Sequence, residues 1–360
     1  MAVRVSSEWL NSCSGCEISI LNLGETILDL IPEKIQLVHI PALVDSKYFG
    51  AVGDGTELNM PEATVGIISG GIRNEEHAEV AREMRKKCTI IISLGTCATN
   101  GGIPAQANAF GNDAVLDRVY KECPTGAKAE VPKVVVPPYT DSVKAVNEVI
   151  DVDISLPGCP PHPDLIGDAL LALLDGATEF KLPERSVCDS CKVVRLEKAA
   201  SGADIKRALT NPEFDVDEPV EKMRCLMEQG YLCLGPVTVA GCSGHEGNPR
   251  CIEARMSCRG CFGPIRETAN PLVEMMGALS SVGINPKSVP DRRLILNRFI
   301  GAHKKLRPMP GAKKPAAPAP APAPEVKAPE APPVQEAVKE AVPEPVEKKK
   351  GFFARLFKKS

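Results

Sequence analysis

The sequence is poor in aromatic residues, which make up 4% of its 360 positions, and Trp9 is its only tryptophan. So few rings cannot offer the successive stacking platforms that bind single-stranded nucleic acid. A formal net charge of −3 removes the electrostatic case for nucleic acid in general. No apolar run approaches the ~20 residues needed to span a bilayer. The first residues lack the basic-then-apolar order of a secretory signal and a twin-arginine stretch, so a cytoplasmic protein is expected. There is no Walker loop, no G-x-G-x-x-G and no H-E-x-x-H. "SGGIRNEEH" at 69–77 precedes a helical pattern but lacks the lysine of a phosphate loop, and reads as a strand-to-helix turn.

What the sequence does have is cysteine, at fourteen positions. A reducing compartment argues against disulfides, and the density is far below that of a disulfide-stapled miniprotein. Metal binding is the better reading. C-x2-C pairs stand at Cys13/Cys16, Cys188/Cys191 and Cys258/Cys261, with single cysteines at 88, 97, 123, 159, 225, 233, 242 and 251.

Residues 1–177 alternate between β-branched runs and amphipathic stretches. The runs "AVRVSS", "IQLVHI" (35–40), "TVGIIS" (64–69), "TIIISL" (89–94), "KVVVP" (133–137) and "VDISLP" (152–157) predict strands. Stretches 17–30, 74–87, 141–149 and 161–175 predict helices. The expected fold is α/β, an open and mostly parallel sheet with helices on both faces, which takes its ligands at the carboxyl ends of the strands. Cys13 and Cys16 follow the first strand, Cys97 follows "TIIISL", and Cys159 follows "VDISLP", so separate strand ends converge on one crevice. Glycines and prolines in "LGTCATNGGIP" and "LPGCPPHPD" let the backbone turn tightly against a bulky group. Cys88 and Cys123 do not fit this scheme. Cys88 enters a predicted strand and reads as a buried small hydrophobe.

From 178 to 307 the secondary-structure signals thin, returning as helical patterns near 271–280 and 291–301, and eight cysteines fall within 188–261. Metal centres would hold such a region together. From Pro308 to Glu347 the chain is a Pro/Ala/Glu linker that cannot bury a core and is expected to be disordered. Residues 348–360, "KKKGFFARLFKKS", place Phe352, Phe353, Leu356 and Phe357 on one helical face among Lys348, Lys349, Lys350, Arg355, Lys358 and Lys359. That pattern suits an interfacial helix on anionic lipid, a docking segment or a solubilising end.

Four cysteines suit zinc or an iron–sulfur cluster alike. Ligands drawn from strand ends nearly 150 residues apart favour a bulky, buried group over a compact zinc module. By order, the later eight divide into Cys188, Cys191, Cys225, Cys233 and Cys242, Cys251, Cys258, Cys261.

"CSGCE" (13–17), "SLGTCATNGGIPA" (93–105), "LPGCPPHPD" (156–164) and "CRGCFGP" (258–264) together resemble the small, electron-transferring subunit of NiFe hydrogenases, over roughly residues 1–305. The resemblance is strongest toward the cytoplasmic methyl-viologen-reducing hydrogenases of methanogens, which pass electrons to heterodisulfide reductase. It implies a flavodoxin-like domain over 1–177 carrying a proximal 4Fe-4S cluster on Cys13, Cys16, Cys97 and Cys159. It implies a mostly irregular domain over 178–307 carrying two more: a medial cluster on Cys242, Cys251, Cys258 and Cys261, and a distal one on Cys188, Cys191, Cys225 and Cys233. The catalytic nickel and iron would sit on a separate large subunit, so no catalytic residue is expected here. The remaining expected partners are a small iron–sulfur electron-accepting subunit and heterodisulfide reductase. Glu17 stands either near the proton path or simply as a helix-start carboxylate.

Two departures from the family pattern matter. Cys188 replaces the histidine that opens many distal motifs, and Cys251 stands where many medial motifs have proline. Both imply all-cysteine, four-iron clusters of lowered potential. Two other readings remain open at this point: an iron–sulfur electron-input subunit of a quinone-reductase-like complex, which generally carries one cluster, and a zinc-stabilised scaffold without redox chemistry.

Overall fold

The computed structural model describes residues 2–309 except 42, 45, 50–54, 124, 125, 127, 197–201, 246 and 267. The linker past Met309 and the basic tail 348–360 lie outside the described residues.

Aliphatic runs near the N-terminus become strands because helices cover them on both sides. The chain runs through β1 (Val3–Trp9), α1 (Gly15–Leu21), α2 (Glu25–Glu33) and β2 (Ile35–His39) to β3 (Ala63–Ser69). It continues through β4 (Ile72–Asn74), α3 (Glu75–Lys87), β5 (Cys88–Leu94), α4 (Gly95–Asn100) and α5 (Asn112–Leu116). β6 (Tyr139–Lys144), β7 (Ile154–Leu156) and α6 (Pro163–Leu174) complete the first half. Five parallel strands form one sheet in the order β2-β1-β3-β5-β7. Counted among themselves in chain order this is 2-1-3-4-5, the flavodoxin-like order, with its ligand crevice beyond the strand ends.

Alternation within the strands sorts the two faces. Ile67, Ile92, Leu94, Ile154 and Leu156 pack with Leu165, Ile166, Ala169 and Leu170 of α6. Ile68 and Ile91 point the other way, against Ala78, Val80, Ala81 and Met84 of α3. α3 itself is well specified: Asn74 caps it by accepting from the His77 N–H at 2.8 Å. Glu75 and Glu76 open the helix, and Arg85, Lys86 and Lys87 close it, each sign matched to the macrodipole.

Several local expectations are corrected. "KVVVP" (133–137) is not a strand: Val135 has φ 66°, and Val134 and Val135 are 81% and 99% exposed. Pro132, Pro137 and Pro138 remove the donors a ladder would need. Stretch 141–149 is not a helix. It begins as β6, antiparallel to β4 outside the main sheet, and ends in a single 3-10 turn at Val146–Glu148. Asn108 fixes β6 from the side, accepting from the Val143 N–H at 2.8 Å and donating to the Val143 carbonyl at 2.9 Å. Stretch 17–30 splits into α1 and α2 around Gly24, whose φ is 64°. "SGGIRN" holds β4 between its glycines and α3, so the turn expected there is longer by one short strand.

The later region contains only short or isolated helices: α7 (Val187–Ser190), α8 (Arg250–Glu253), α9 (Pro271–Ser281) and α10 (Arg292–Leu296). The helical pattern at 291–301 therefore ends early. The region has apolar clusters of its own, one built on Met275, Leu279, Ile284 and Leu296 with Cys233 and Cys258 inside it. Val239 and Phe262, by contrast, join the core of the main sheet. No helix among the described residues is long and apolar enough to cross a membrane.

Cys88 is 4% exposed at the first position of β5, as expected of a core thiol, and burial pushes it up to about 11. It faces Gly66 of β3, where an added Cβ would come within 2.8 Å of Cys88 Sγ and of Ile91 Cδ1. Gly66→Ala is expected to destabilise the protein by about 1–3 kcal/mol through overpacking. Cys88→Ala in the same chain should recover part of that loss. Thermal melts of the two single variants and the double variant, read as a cycle, test the coupling.

Candidate metal centres

β1, β5 and β7 each feed a cysteine to the carboxyl edge of the sheet. Cys13 and Cys16 flank the entry to α1, where Ser14 takes a φ of 62°. Cys97 lies in α4, directly after β5, and Cys159 follows β7 by three positions. The four thiols influence one another electrostatically. Burial drives the Cys16 thiol far above its ordinary range, with Glu17, Cys97, Cys13 and Cys159 adding their repulsion. Burial pushes Cys97 up to about 12, helped by Cys159 and Cys13. Cys13 and Cys159 stand at the open rim while Cys16 is enclosed.

Two glycines let the backbone pass close against these sulfurs. An added Cβ on Gly95 (φ 83°) would overlap Cys16 Sγ, and one on Gly102 (φ 55°) would lie 2.5 Å from Cys97 Sγ. Glu17 accepts the Ser69 hydroxyl on one carboxylate oxygen, and its other oxygen is buried with no partner.

Two further tetrads occupy the later region. Burial pushes Cys188 up to about 12, and Cys233, Cys191 and Cys225 all raise it further. Cys233 reaches about 11 through burial, although the N–H groups of Gly235 and Cys258 pull it down. Cys261 reaches about 12, raised by burial, then by Cys251 and Cys242. Cys242 is raised by burial and by Cys251. Cys258 sits between groups: after burial, Cys233 acts on it before Cys261 and Cys251 do.

The groups also touch one another. The Cys258 backbone N–H donates to Cys233 Sγ at 3.3 Å, joining the second and third tetrads. Cys159 acts on Cys261, its N–H lowering and its thiol raising the Cys261 thiol, which joins the first and second. The 258/261 pair is thus linked in two directions, through Cys258 to Cys233 and through Cys261 to Cys159.

The donor set fits iron–sulfur clusters. Buried thiols that raise one another cannot ionise together without compensating cationic charge, which a cluster's irons provide. Among the described residues no three His, Cys, Asp or Glu side chains are arranged to hold a single metal ion.

Sequence reasoning missed Glu8, a single carboxylate inside an otherwise strand-like run. It is 2% exposed and receives the Tyr48 hydroxyl at 2.6 Å, with His39 Nε2 at 2.9 Å. It ties β1 to β2 and to the segment after it.

Residues 13–173 match the family described as NADH ubiquinone oxidoreductase, 20 Kd subunit. That match ends before the eight later cysteines begin. The G-type subunit of the vhu F420-non-reducing hydrogenase of Methanocaldococcus jannaschii is 37% identical over 303 residues, covering 83% of this chain and 95% of that protein. The chain belongs to the G-type subunits of F420-non-reducing hydrogenases. The corresponding G-type subunit of Methanothermobacter thermautotrophicus is 36% identical over 281 residues, covering 78% of this chain and 84% of that one. The delta subunit of the NAD-reducing hydrogenase HoxS of Cupriavidus necator is 36% identical over 186 residues, half of this chain and 82% of that one. The protein is accordingly a hydrogenase subunit, within the oxidoreductases.

Gly95→Ala and Gly102→Ala should each lower bound iron and sulfide in anaerobically purified protein. Gly176→Ala should leave them unchanged: Gly176 has a φ of 91°, but an added Cβ there meets nothing within 4 Å. Comparing the three variants separates backbone strain from collision with the thiols.

Proposed function

We propose that this hydrogenase subunit is an electron wire. Its twelve thiols would hold three 4Fe-4S clusters, and the catalytic nickel and iron would lie on a partner large subunit. The observation that carries the reading is the serial contact of the tetrads: Cys159 against Cys261, then Cys258 against Cys233. Iron–sulfur clusters, when bound, accept and release single electrons at potentials set by charge, hydrogen bonds and exposure. The protein's own part is to fix their spacing and tune their surroundings. Cys13 and Cys159 at the rim mark the end that meets the large subunit. Cys188, Cys191, Cys225 and Cys233 mark the far end, where a small iron–sulfur subunit and then heterodisulfide reductase are the proposed acceptors. Thiolate at Cys188 and Cys251 adds negative charge and favours low potentials, which suits such acceptors.

Cys13, Cys16, Cys97 and Cys159 are the proposed proximal ligands, Cys242, Cys251, Cys258 and Cys261 the medial ones, and Cys188, Cys191, Cys225 and Cys233 the distal ones. A division at 177/178 remains our proposal for two functional regions sharing one core. A cytoplasmic site, with peripheral membrane contact through 348–360, rests on the sequence alone. Glu17, with one buried oxygen lacking a partner, is proposed as a proton-path residue.

Three measurements test the reading. Anaerobically purified protein should carry about twelve irons and twelve sulfides, four of each per four-cysteine site. Cys251→Pro should convert one cluster to a three-iron form of raised potential, visible by EPR in the oxidised variant; an unchanged spectrum would remove Cys251 from the ligand set. The chain purified without its large subunit should show no hydrogen-dependent dye reduction, and activity from it would place catalysis on this chain.

A further inference from the structure

Thr96 stands immediately before Cys97 and is 1% exposed. Its side chain is not used locally. The hydroxyl accepts from the Gly158 N–H at 2.8 Å and donates to the Cys261 carbonyl, partners 62 and 165 positions away in the sequence. Its own backbone N–H donates to the Gly158 carbonyl at 2.8 Å. One side chain therefore joins three segments: the one bearing Cys97, the one bearing Cys159 and the one bearing Cys261. Packing reinforces the junction. Gly158 has a φ of 138°, and an added Cβ there would lie 2.9 Å from Cε2 of Phe262, the residue after Cys261.

A hydroxyl has a single proton to give, so a threonine at this point donates in one direction and accepts in the other. Valine has the same shape and can do neither, leaving a buried N–H and a buried carbonyl without partners. A threonine that merely capped a turn would bond within a few residues. This one spans two of the cysteine tetrads.

We propose that Thr96 is the positioning residue that fixes the gap between the first and second cysteine tetrads. The proposal rests on the cluster reading above and adds a residue to it. Across that gap one electron passes from the reduced proximal site to the oxidised medial site, with no bond made or broken. Loss of the hydroxyl lets the Cys261 segment shift relative to Cys97 and Cys159 while each tetrad keeps its own cysteines.

The test uses Thr96→Val and Thr96→Ser in the complete complex with the large subunit, purified anaerobically and reduced with dithionite. Iron and sulfide are assayed first, then spin–spin coupling between the proximal and medial sites by EPR, then hydrogen-driven dye reduction. In Thr96→Val the expected result is loss of the coupling seen in the unaltered protein, with slower dye reduction and full iron content. Thr96→Ser should restore both. If Thr96→Val assembles poorly, iron lost from the first two sites with the distal signal intact supports the junction. Iron lost equally from all three sites overturns it. Full iron with unmoved coupling in Thr96→Val, or serine behaving as valine does, also overturns this inference alone. Absence of iron and sulfide from the unaltered protein would instead overturn the cluster reading, and this inference with it.

Discussion

Like charges brought together in a poorly solvated interior repel strongly: at an effective dielectric of about 20, two unit charges about 4 Å apart cost about 4 kcal/mol. Twelve thiols, proposed as three groups of four, face that penalty in this chain, and Cys16, Cys233 and Cys258 are buried. Burial and neighbouring thiols disfavour ionisation of Cys16, Cys97, Cys188, Cys233, Cys258 and Cys261 unless compensating charge is supplied. The glycines that keep side chains away from the sulfurs and the strand ends that aim them at one crevice both follow from this. The region after the sheet has apolar clusters of its own but only short helices to frame them. On the proposed reading, metal supplies the crosslinks there and binding energy becomes folding energy.

The pair Cys258/Cys261 organises the series. Its first member meets Cys233 and its second feels Cys159, so on the proposed reading a two-residue spacer would set both gaps together. A C-x2-C motif is usually read as half of one site. Here both members are proposed for one site, yet Cys258 feels Cys233 more strongly than its own motif partner.

The sheet was legible because its signal is local. Ile67 and Ile68, or Ile91 and Ile92, alternate between two covered faces, and continuous aliphatic runs record that. The valines at 134–136 carry the same local signal and fail, because flanking prolines deny them a ladder. Residues 141–149 fail because Asn108 captures both backbone groups of Val143, a partner no periodicity reveals. Among the site residues, the C-x2-C pairs and the strand-end cysteines could be read from spacing alone. The grouping of the later eight came from chain order and resemblance. Thr96 and Glu8 were invisible, since each looks like one polar residue in a run and acquires its role only from distant partners.

The contrast between Cys16, enclosed behind Gly95 and the sheet core, and Cys13 and Cys159 at the rim has a consequence for biogenesis. Phe262 of the later region is buried in the same apolar cluster as Cys16, behind the crevice. The rim is then the remaining doorway. On the proposed reading a partner seated on that face would shut it, so maturation would have a direction: the crevice would fill while the subunit stood alone, and docking afterwards would act as the seal.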